Sequence, residues 1–275
     1  MNRLWITIAT CFVVRLGMAQ NLYTVLHLNE SVDYKTRRPR RIVESDKIFH
    51  SPDSPDFEKI IKAYDAAGML TRVEYYNRFG DITARRRLGN DTVRRLILAD
   101  TTERWTSLGH PEETASYTYD SAGYLTGIVD KDGDDNVIDA YTLTNNDRGN
   151  PISMTGYGPA GELLGRQTGD YRYEINRVYV RVFSADGRLL STDTLKISLR
   201  DASLHPGRGE QFNDQGDITH SISIRQNGAV DSYQEEYVYD PYGNCTVERI
   251  YRVSQADDGR LRLRLEQEFR RVYVY

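Results

Sequence analysis

Cysteine is scarce in this chain. There are two cysteines in 275 residues, and one of them, Cys11, lies in an apolar N-terminal stretch. If that stretch is removed, Cys245 stands alone and makes no internal disulfide bond. Stability must then come from strand pairing and packing. Because Cys245 follows a turn glycine, we interpret it as a small packing residue and not as a nucleophile.

Motifs of catalysis are missing too. The sequence contains no Gly-x-Ser-x-Gly, no His-Glu-x-x-His and no phosphate-binding loop. The five histidines share no metal-ligand spacing; they are His27, His50, His110, His205 and His220. Since no titratable groups converge, we expect no enzyme and no cofactor. The remote alternative is a glycoside hydrolase-like enzyme using Glu112–Glu113 or Glu235–Glu236, although adjacent strand residues point to opposite faces.

A large excess of charge of either sign is lacking as well. The chain has 36 basic and 40 acidic residues, a net charge of −4 and a pI near 5.8. Such a balance favours no nucleic-acid partner. The mean hydropathy of −0.62 is low for a thick buried core. It suits a sheet with much exposed surface.

Long hydrophobic runs are absent beyond the N-terminus. Residues 4–16 are mostly apolar, and Gly17 and Ala19 supply small residues at the −3 and −1 positions of a cleavage site. We expect a signal peptide at 1–19, too short for a membrane helix, with no transmembrane segment after cleavage. The mature protein would be periplasmic, at the outer-membrane surface or secreted. A lipoprotein cleaved before Cys11 is less favoured because Thr10 is large for that position.

What the sequence does contain is a repeated pentapeptide: an aromatic residue, a short polar residue, two free residues and glycine. Chance placement predicts about 0.5 copies in a chain of this composition, so recurrence marks a repeat architecture. The clear copies begin at Tyr64, Tyr76, Tyr119, Phe183, Phe212 and Tyr239, with turn glycines Gly68, Gly80, Gly123, Gly187, Gly216 and Gly243.

Each copy has the chemistry of a hairpin turn. Asp, Asn or Ser favours the first position of a type I turn, and glycine favours a position of positive φ. A weaker copy ends at Gly133, and the wider gaps between glycines predict further turns of other composition. Apolar and polar residues alternate between the turns, as Leu195, Ile197 and Leu199 do. We therefore predict an all-β fold, an antiparallel meander of hairpins forming a long, twisted and curled sheet.

The repeat domain is predicted to span 57–275, after an irregular N-terminal segment at 20–56. Within that segment, 23–28 reads as a first strand, and the segment is expected to cap one sheet edge. Lys35 to Arg41 is a basic run broken by Pro39. We interpret it as a solvated loop; contact with anionic surface polymers is the alternative.

These repeats resemble the YD repeats of Rhs-type and teneurin-like proteins, with Tyr64-Asp65, Tyr119-Asp120 and Tyr239-Asp240 matching best. In that family, repeated hairpins form a ribbon that winds into a shell. The chain has too few repeats for a large shell, and no toxin domain follows them. The resemblance implies a fold of repeated hairpins, and a protein that is secreted or lies at the surface of a bacterial envelope.

Two candidate ligand sites stand out. Rows of tyrosine on one sheet face would stack sugar rings, or else pack across strands; these are Tyr75, Tyr117, Tyr124, Tyr141, Tyr157, Tyr171 and Tyr173. Asp130, Asp132 and Asp134 alternate as Ca²⁺ ligands do, although a solvated hairpin tip is the plainer interpretation.

The function expected from the sequence is a non-enzymatic, exported repeat protein that serves as a scaffold or interaction surface in the bacterial cell envelope. Its partners would be an envelope polysaccharide or another envelope protein. The alternative is a glycan-binding module that uses the exposed tyrosines.

Overall fold

The computed structural model describes residues 20–29, 34–49, 56–107, 109–224, 228–255 and 260–275. The predicted signal peptide lies outside these residues, as does His50. The described chain divides into two compact units. The first unit holds the described residues within 31–83 and 200–275, and the second unit holds those within 20–29 and 84–199.

Nearly all regular structure is strand. In chain order the elements are α1 (Leu22–Leu26), β1 (Arg41–Ile48), β2 (Asp56–Tyr64), β3 (Leu70–Tyr76), β4 (Ile82–Asp91), β5 (Leu96–Arg104), β6 (Glu112–Tyr119), β7 (Leu125–Asp132), β8 (Val137–Asn145), β9 (Pro151–Tyr157), β10 (Leu163–Arg172), β11 (Arg177–Ser184), β12 (Leu189–Lys196), β13 (Gln211–Phe212), β14 (Ile218–Ile224), β15 (Val230–Tyr239), β16 (Cys245–Gln255) and β17 (Leu261–Val274). Short 3₁₀ turns occupy Tyr173–Ile175 and Ala202–Leu204. No helix in the described ranges is long and apolar enough to cross a membrane.

Both units are antiparallel. In the first unit the strands neighbour one another in the order β13, β14, β15, β16, β17, β1, β2, β3. In the second unit β4 to β12 neighbour one another in chain order. The predicted all-β, antiparallel hairpin architecture is confirmed.

The hairpins share one turn geometry, shown well at Asp120. Its backbone N–H donates to the Tyr124 carbonyl at 3.0 Å, and the Gly123 N–H donates to the Asp120 carbonyl at 3.1 Å. The Asp120 carboxylate accepts from the N–H groups of Ala122 and Tyr124, each at 2.9 Å. This pattern is a type I turn followed by a residue of positive φ. All six repeat glycines have positive φ, between 75° and 87°: Gly68, Gly80, Gly123, Gly187, Gly216 and Gly243.

Three further turns use residues other than glycine at positive φ, namely Arg95 (58°), Asp135 (65°) and Asn176 (53°). They account for wide gaps in the glycine series. In the turn after β7, Asp135 and not Gly133 takes the positive-φ position. The reason is that the Asp132 carboxylate starts the turn and accepts from the backbone N–H of Asn136.

The N-terminal segment needs correction, because 20–56 is not irregular. Residues 23–28 do not form a strand; α1 begins after Asn21, whose side chain accepts from the Thr24 N–H at 2.9 Å. β1 lies between β17 and β2 and pairs with both along its whole length. The sequence pattern did not predict β1, because its buried face carries Glu44 and Asp46 as well as Ile42.

Candidate functional site

The candidate tyrosines belong to the packing of the sheet. Tyr117 and Tyr141 are buried, with 7% and 2% of their surface exposed, and both lie opposite Ile128 across β6, β7 and β8. The other five are half-buried: Tyr75, Tyr124, Tyr157, Tyr171 and Tyr173. The rings of Tyr171 and Tyr173 stack with centroids 5.6 Å apart. The structure thus brings Tyr171 and Tyr173 together as a stacked pair, and it buries Tyr117 and Tyr141 on either side of Ile128.

Their hydroxyl groups are also engaged. Tyr171 donates to the Pro151 carbonyl at 2.9 Å, and the Tyr173 hydroxyl accepts from the side-chain amides of Asn146 and Asn150. Tyr124 donates to the Asp147 carbonyl at 3.3 Å. A tyrosine that stacks on a sugar needs an open ring face. These contacts favour cross-strand stabilisation, and glycan binding by this set stays a prediction.

The three candidate metal ligands serve different purposes. The Asp132 carboxylate accepts hydrogen bonds from Asp134 and Asn136 within its turn, and these bonds lower its pKa. Asp134 is exposed at the hairpin tip, whereas Asp130 is buried in β7. Across the described residues, no three His, Cys, Asp or Glu side chains are grouped so that they could hold a metal ion.

In the second unit, a glutamine side chain meets the buried Asp130 carboxylate. Asp130 is 8% exposed, and its two oxygens accept from Gln20 Nε2 at 3.3 and 3.4 Å. Burial raises the pKa of Asp130 to about 6, against the opposing effect of the Gln20 hydrogen bond. Asp139, Glu113 and Asp100 raise this pKa further by repulsion. Sequence analysis grouped Asp130 with the hairpin tip and missed its burial.

The first unit has a matching arrangement. Asp46 of β1 is 4% exposed and accepts from Gln267 Nε2 of β17 at 3.0 and 2.8 Å. Burial raises the pKa of Asp46 to about 6, although the Gln267 hydrogen bond acts in the opposite direction. The carboxylates of Glu44, Glu58 and Glu248 add repulsion.

A guanidinium group balances part of this charge. Arg271, with a side chain 14% exposed, forms ion pairs with Glu44 and with Glu248, the latter at 3.0 Å. Its Nη1 also lies 3.5 Å from the Cys245 sulfur. Burial raises the pKa of the Cys245 thiol to about 11, so the thiol stays protonated near neutral pH. A packing thiol bonded to this network fits the sequence interpretation of Cys245.

The hairpin tips of the first unit carry a second set of contacts. We name the tips at 65–69, 213–217 and 240–244 the tip surface, and residues 34–38 the basic segment. The basic segment has neither helix nor strand, and its residues 35–38 are exposed. It is thus an exposed loop, as predicted, but one that contacts with the tip surface hold in place.

Lys35 makes the densest contacts. Its ammonium group lies 2.6 Å from the Asp217 carboxylate, 2.5 Å from the Gln215 carbonyl and 5.4 Å from the centre of the Tyr239 ring. Its backbone N–H donates to the buried Asn244 side chain at 2.7 Å. A carboxylate, a carbonyl and an aromatic face together form a cation site.

Arg37 occupies a second cation site two residues along. Its guanidinium lies 4.6 Å from the ring centres of both Tyr242 and Tyr275, and it donates to the Tyr242 hydroxyl. The two rings meet edge to face at 4.9 Å. The Tyr275 hydroxyl is itself fixed to Asp240 and Asn244. Of the two rings that contact Arg37, that of Tyr275 is thus also fixed by hydrogen bonds to other residues.

The third tip receives the ends of the basic segment. Tyr34 donates to the Gly68 carbonyl at 2.9 Å, and Arg38 donates to the Ala67 carbonyl at 3.0 Å. A β-carbon on Gly68 would lie 2.7 Å from Arg38 Cδ. The tip surface thus contacts a Tyr-Lys-x-Arg-Arg stretch through side chains and carbonyl groups. Sequence reasoning had named the glycines of these tips and the basic run, but not their meeting.

Comparison with known proteins adds little to this geometry. No protein-family model and no curated protein sequence matches the chain. A porin-like protein from Bacteroides uniformis aligns with 87% of this chain and 99% of its own, at 14% identity and a TM-score of 0.47. The TcdB2-TccC3 structure aligns with 76% of this chain at 13% identity and a TM-score of 0.35, and this chain covers 14% of that chain. TM-scores this low assign neither family nor function.

Proposed function

We propose that this protein is a non-enzymatic, exported β-repeat protein of the bacterial cell envelope, and that the tip surface of the first unit is its interaction surface. The partner would be another envelope protein that presents a basic segment. The observation that carries this proposal is the pair of cation sites around Lys35 and Arg37. In this chain its own basic segment fills them.

The tip surface has the properties of a peptide-binding site. Hairpin turns fix its carbonyl groups, and hydrogen bonds to Asp240 and Asn244 fix the Tyr275 ring. A surface that is ordered in advance loses little entropy when a segment binds. Aromatic faces add about 0.5–1 kcal/mol for each exposed cation. The hairpin repeats further support a YD-repeat-like fold as part of this proposal.

The absence of enzymatic activity belongs to the proposal as well. The buried carboxylates that a hydrolase would need are engaged, Asp46 with Gln267 and Glu235 with Tyr237. Glu236 is exposed on the other face of β15 and accepts from the Tyr251 hydroxyl. These contacts support a structural use of the acids.

Peptide competition tests the interaction surface. The probe is a fluorescein-labelled peptide with the sequence of residues 34–41, titrated against the full chain and against its Lys35→Ala/Arg37→Ala variant. The chain's own segment acts at an effective concentration in the millimolar range, so we expect the variant to bind at least about tenfold more tightly than the unsubstituted chain. Fluorescence anisotropy measures the difference.

Two further variants complete this experiment. Tyr242→Ala in the same background should weaken binding by about two- to fivefold, because it removes one aromatic face of the Arg37 site. Tyr179→Ala should leave binding unchanged, since Tyr179 is an exposed tyrosine of the second unit. If the folded double variant does not bind the peptide, the interaction surface is wrong. Recovery of the full chain from the cytosol after cell fractionation would contradict export.

A further inference from the structure

The first described residue, Gln20, lies at an acidic site in the second unit. Its backbone N–H donates to the Tyr141 hydroxyl at 3.3 Å, and its side-chain amide donates to the Asp130 carboxylate. The Tyr141 hydroxyl in turn donates to Asp139 at 3.2 Å. The backbone nitrogen of Gln20 therefore faces a tyrosine bonded to one carboxylate, beside a second carboxylate.

This nitrogen lies among acidic side chains. Asp139, Glu113 and Asp100 each raise the pKa of the buried Asp130 by repulsion. Asp100 pairs with Arg86 at 3.1 Å, and Glu113 pairs with Arg104 at 2.8 Å. Carboxylates in partly buried surroundings strongly favour a further positive charge. A neutral backbone N–H does not supply one.

Gln20 is also the residue that follows the expected signal-peptide cleavage site. Hydrolysis of the Ala19–Gln20 peptide bond by a signal peptidase consumes one water molecule. It leaves a carboxylate on Ala19 and an α-ammonium group on Gln20. We propose that this ammonium group binds Tyr141, Asp130 and Asp139 as an ion-paired anchor of the mature N-terminus. The inference rests on the export that forms part of the proposed function.

The anchor would fix a helix as well as a charge. Immediately after Gln20, the Leu22 N–H donates to the Gln167 side chain at 3.0 Å, and Leu22 and Val25 of α1 are buried. A positive charge just before a helix is ordinarily unfavourable. Here the carboxylates of Asp130 and Asp139 offset that cost. The mature chain thereby gains an interaction that its precursor lacks.

The test compares two purified proteins, one starting at Gln20 and one starting with Gly-Ser before Gln20. In the extended protein, the nitrogen of Gln20 is again a neutral amide. We expect the chain starting at Gln20 to have a Tm about 2–6 °C higher at pH 7. In the Asp130→Asn/Asp139→Asn background the two proteins should melt together. Equal Tm values without these substitutions, or a difference that survives the double substitution, would overturn the anchor.

A second readout follows the amine itself. Ion pairing should raise the pKa of the α-amino group by about one unit, so an acylating reagent should label it about tenfold more slowly at pH 7 than in Asp130→Asn. Mass spectrometry of the N-terminal peptide gives both rates. Equal labelling rates would contradict an ion pair even if Tm differs.

An N-terminal glutamine can cyclise and lose its charge, so a second protein pair carries Gln20→Ala. Alanine cannot cyclise and keeps the α-ammonium group. The same Tm difference is expected for this pair, and its absence would overturn the proposal. These measurements use purified protein. They can fail while the peptide-binding result stands, and they can succeed in a protein that is never exported.

Discussion

The two units solve the same electrostatic problem with different parts of the chain. Each buries one aspartate whose pKa is about 6, Asp46 in the first unit and Asp130 in the second. Each aspartate accepts from a glutamine amide. In the first unit Gln267 comes from a neighbouring strand, whereas in the second Gln20 comes from the segment before α1. The first acid is therefore satisfied within the sheet, and the second depends on the N-terminus.

The hairpin tips differ in a similar way. The turns at Gly68 and Gly161 have the same positive φ and the same turn hydrogen bond. The basic segment covers Gly68, while a β-carbon on Gly161 in the second unit would meet nothing within 4 Å. Turn geometry is thus a local property of these hairpins. Whether a turn is covered depends on residues that are distant in the sequence.

Removing a buried cation should have the largest effect. Arg271→Met leaves the buried Glu44 and the half-buried Glu248 without their ion-pair partner, so we expect a loss of about 3–5 kcal/mol in the free energy of unfolding. In the second unit Arg86, with a side chain 35% exposed, should cost less when replaced by methionine. Urea denaturation measures both.

Arg270→Met is the matched control for this comparison. Its side chain is 58% exposed and pairs with Glu268, so we expect a loss of about 1 kcal/mol or less. Equal losses of stability for Arg271→Met and Arg270→Met would mean that the ion pairs of Arg271 stabilise the first unit no more than an exposed ion pair does.

The pH dependence of stability should come next in size. Because the folded pKa of Asp46 is raised to about 6, the folded state binds this proton more tightly than the unfolded chain. Stability from Asp46 is complete below its unfolded pKa and is lost as the pH rises through about 6. The loss is about 3 kcal/mol at most, and Asp46→Asn should remove this part of the pH dependence. Urea midpoints measured from pH 4 to pH 8 test it.

The same urea midpoints, measured for Asp130 variants, compare the second unit with the first. In a protein with Gly-Ser before Gln20, Asp130→Asn should flatten the pH dependence as Asp46→Asn does. In the protein starting at Gln20, the ammonium group opposes the effect of burial, so Asp130→Asn should change the slope less. If Asp130→Asn changed the slope equally in both proteins, Asp130 would behave as Asp46 does, with no effect of the N-terminal ammonium group.

The smallest expected difference concerns the tips. Gly161→Ala places a side chain at positive φ and should cost about 1 kcal/mol. Gly68→Ala has the same strain and also crowds Arg38 and the Tyr34 hydroxyl, so we expect about 1 kcal/mol more. Urea denaturation gives both values. Equal losses of stability would mean that the basic segment does not restrict the space around Gly68.

The sequence predicted the turns because their chemistry is local. The Asp120 side chain bonds to N–H groups two and four residues ahead, so a short motif contains the whole interaction. The motif failed at Gly133, because the turn starts at Asp132, two residues later than expected, and Asp135 takes the positive φ. Aspartate tolerates that conformation, so composition alone did not locate it.

The strand β1 and the tip surface were harder to predict for a different reason. Alternation marks a strand when its buried face is apolar, and β1 buries Glu44 and Asp46. Their partners, Arg271 and Gln267, lie at the other end of the chain. The cation sites likewise join Lys35 and Arg37 to tips formed more than half a chain away. A single sequence contains no signal of such distant pairings.

The pairing of β1 with β17 also sets an order of events during synthesis. β1 is made before β17, and the register that joins Ile42 to Tyr273 cannot form until β17 has been made. Until then one edge of β1 stays without this partner. Contacts between residues far apart in the sequence slow folding, because a long loop must close first. In the export that we propose, this delay leaves the first unit unfinished until β17 is available.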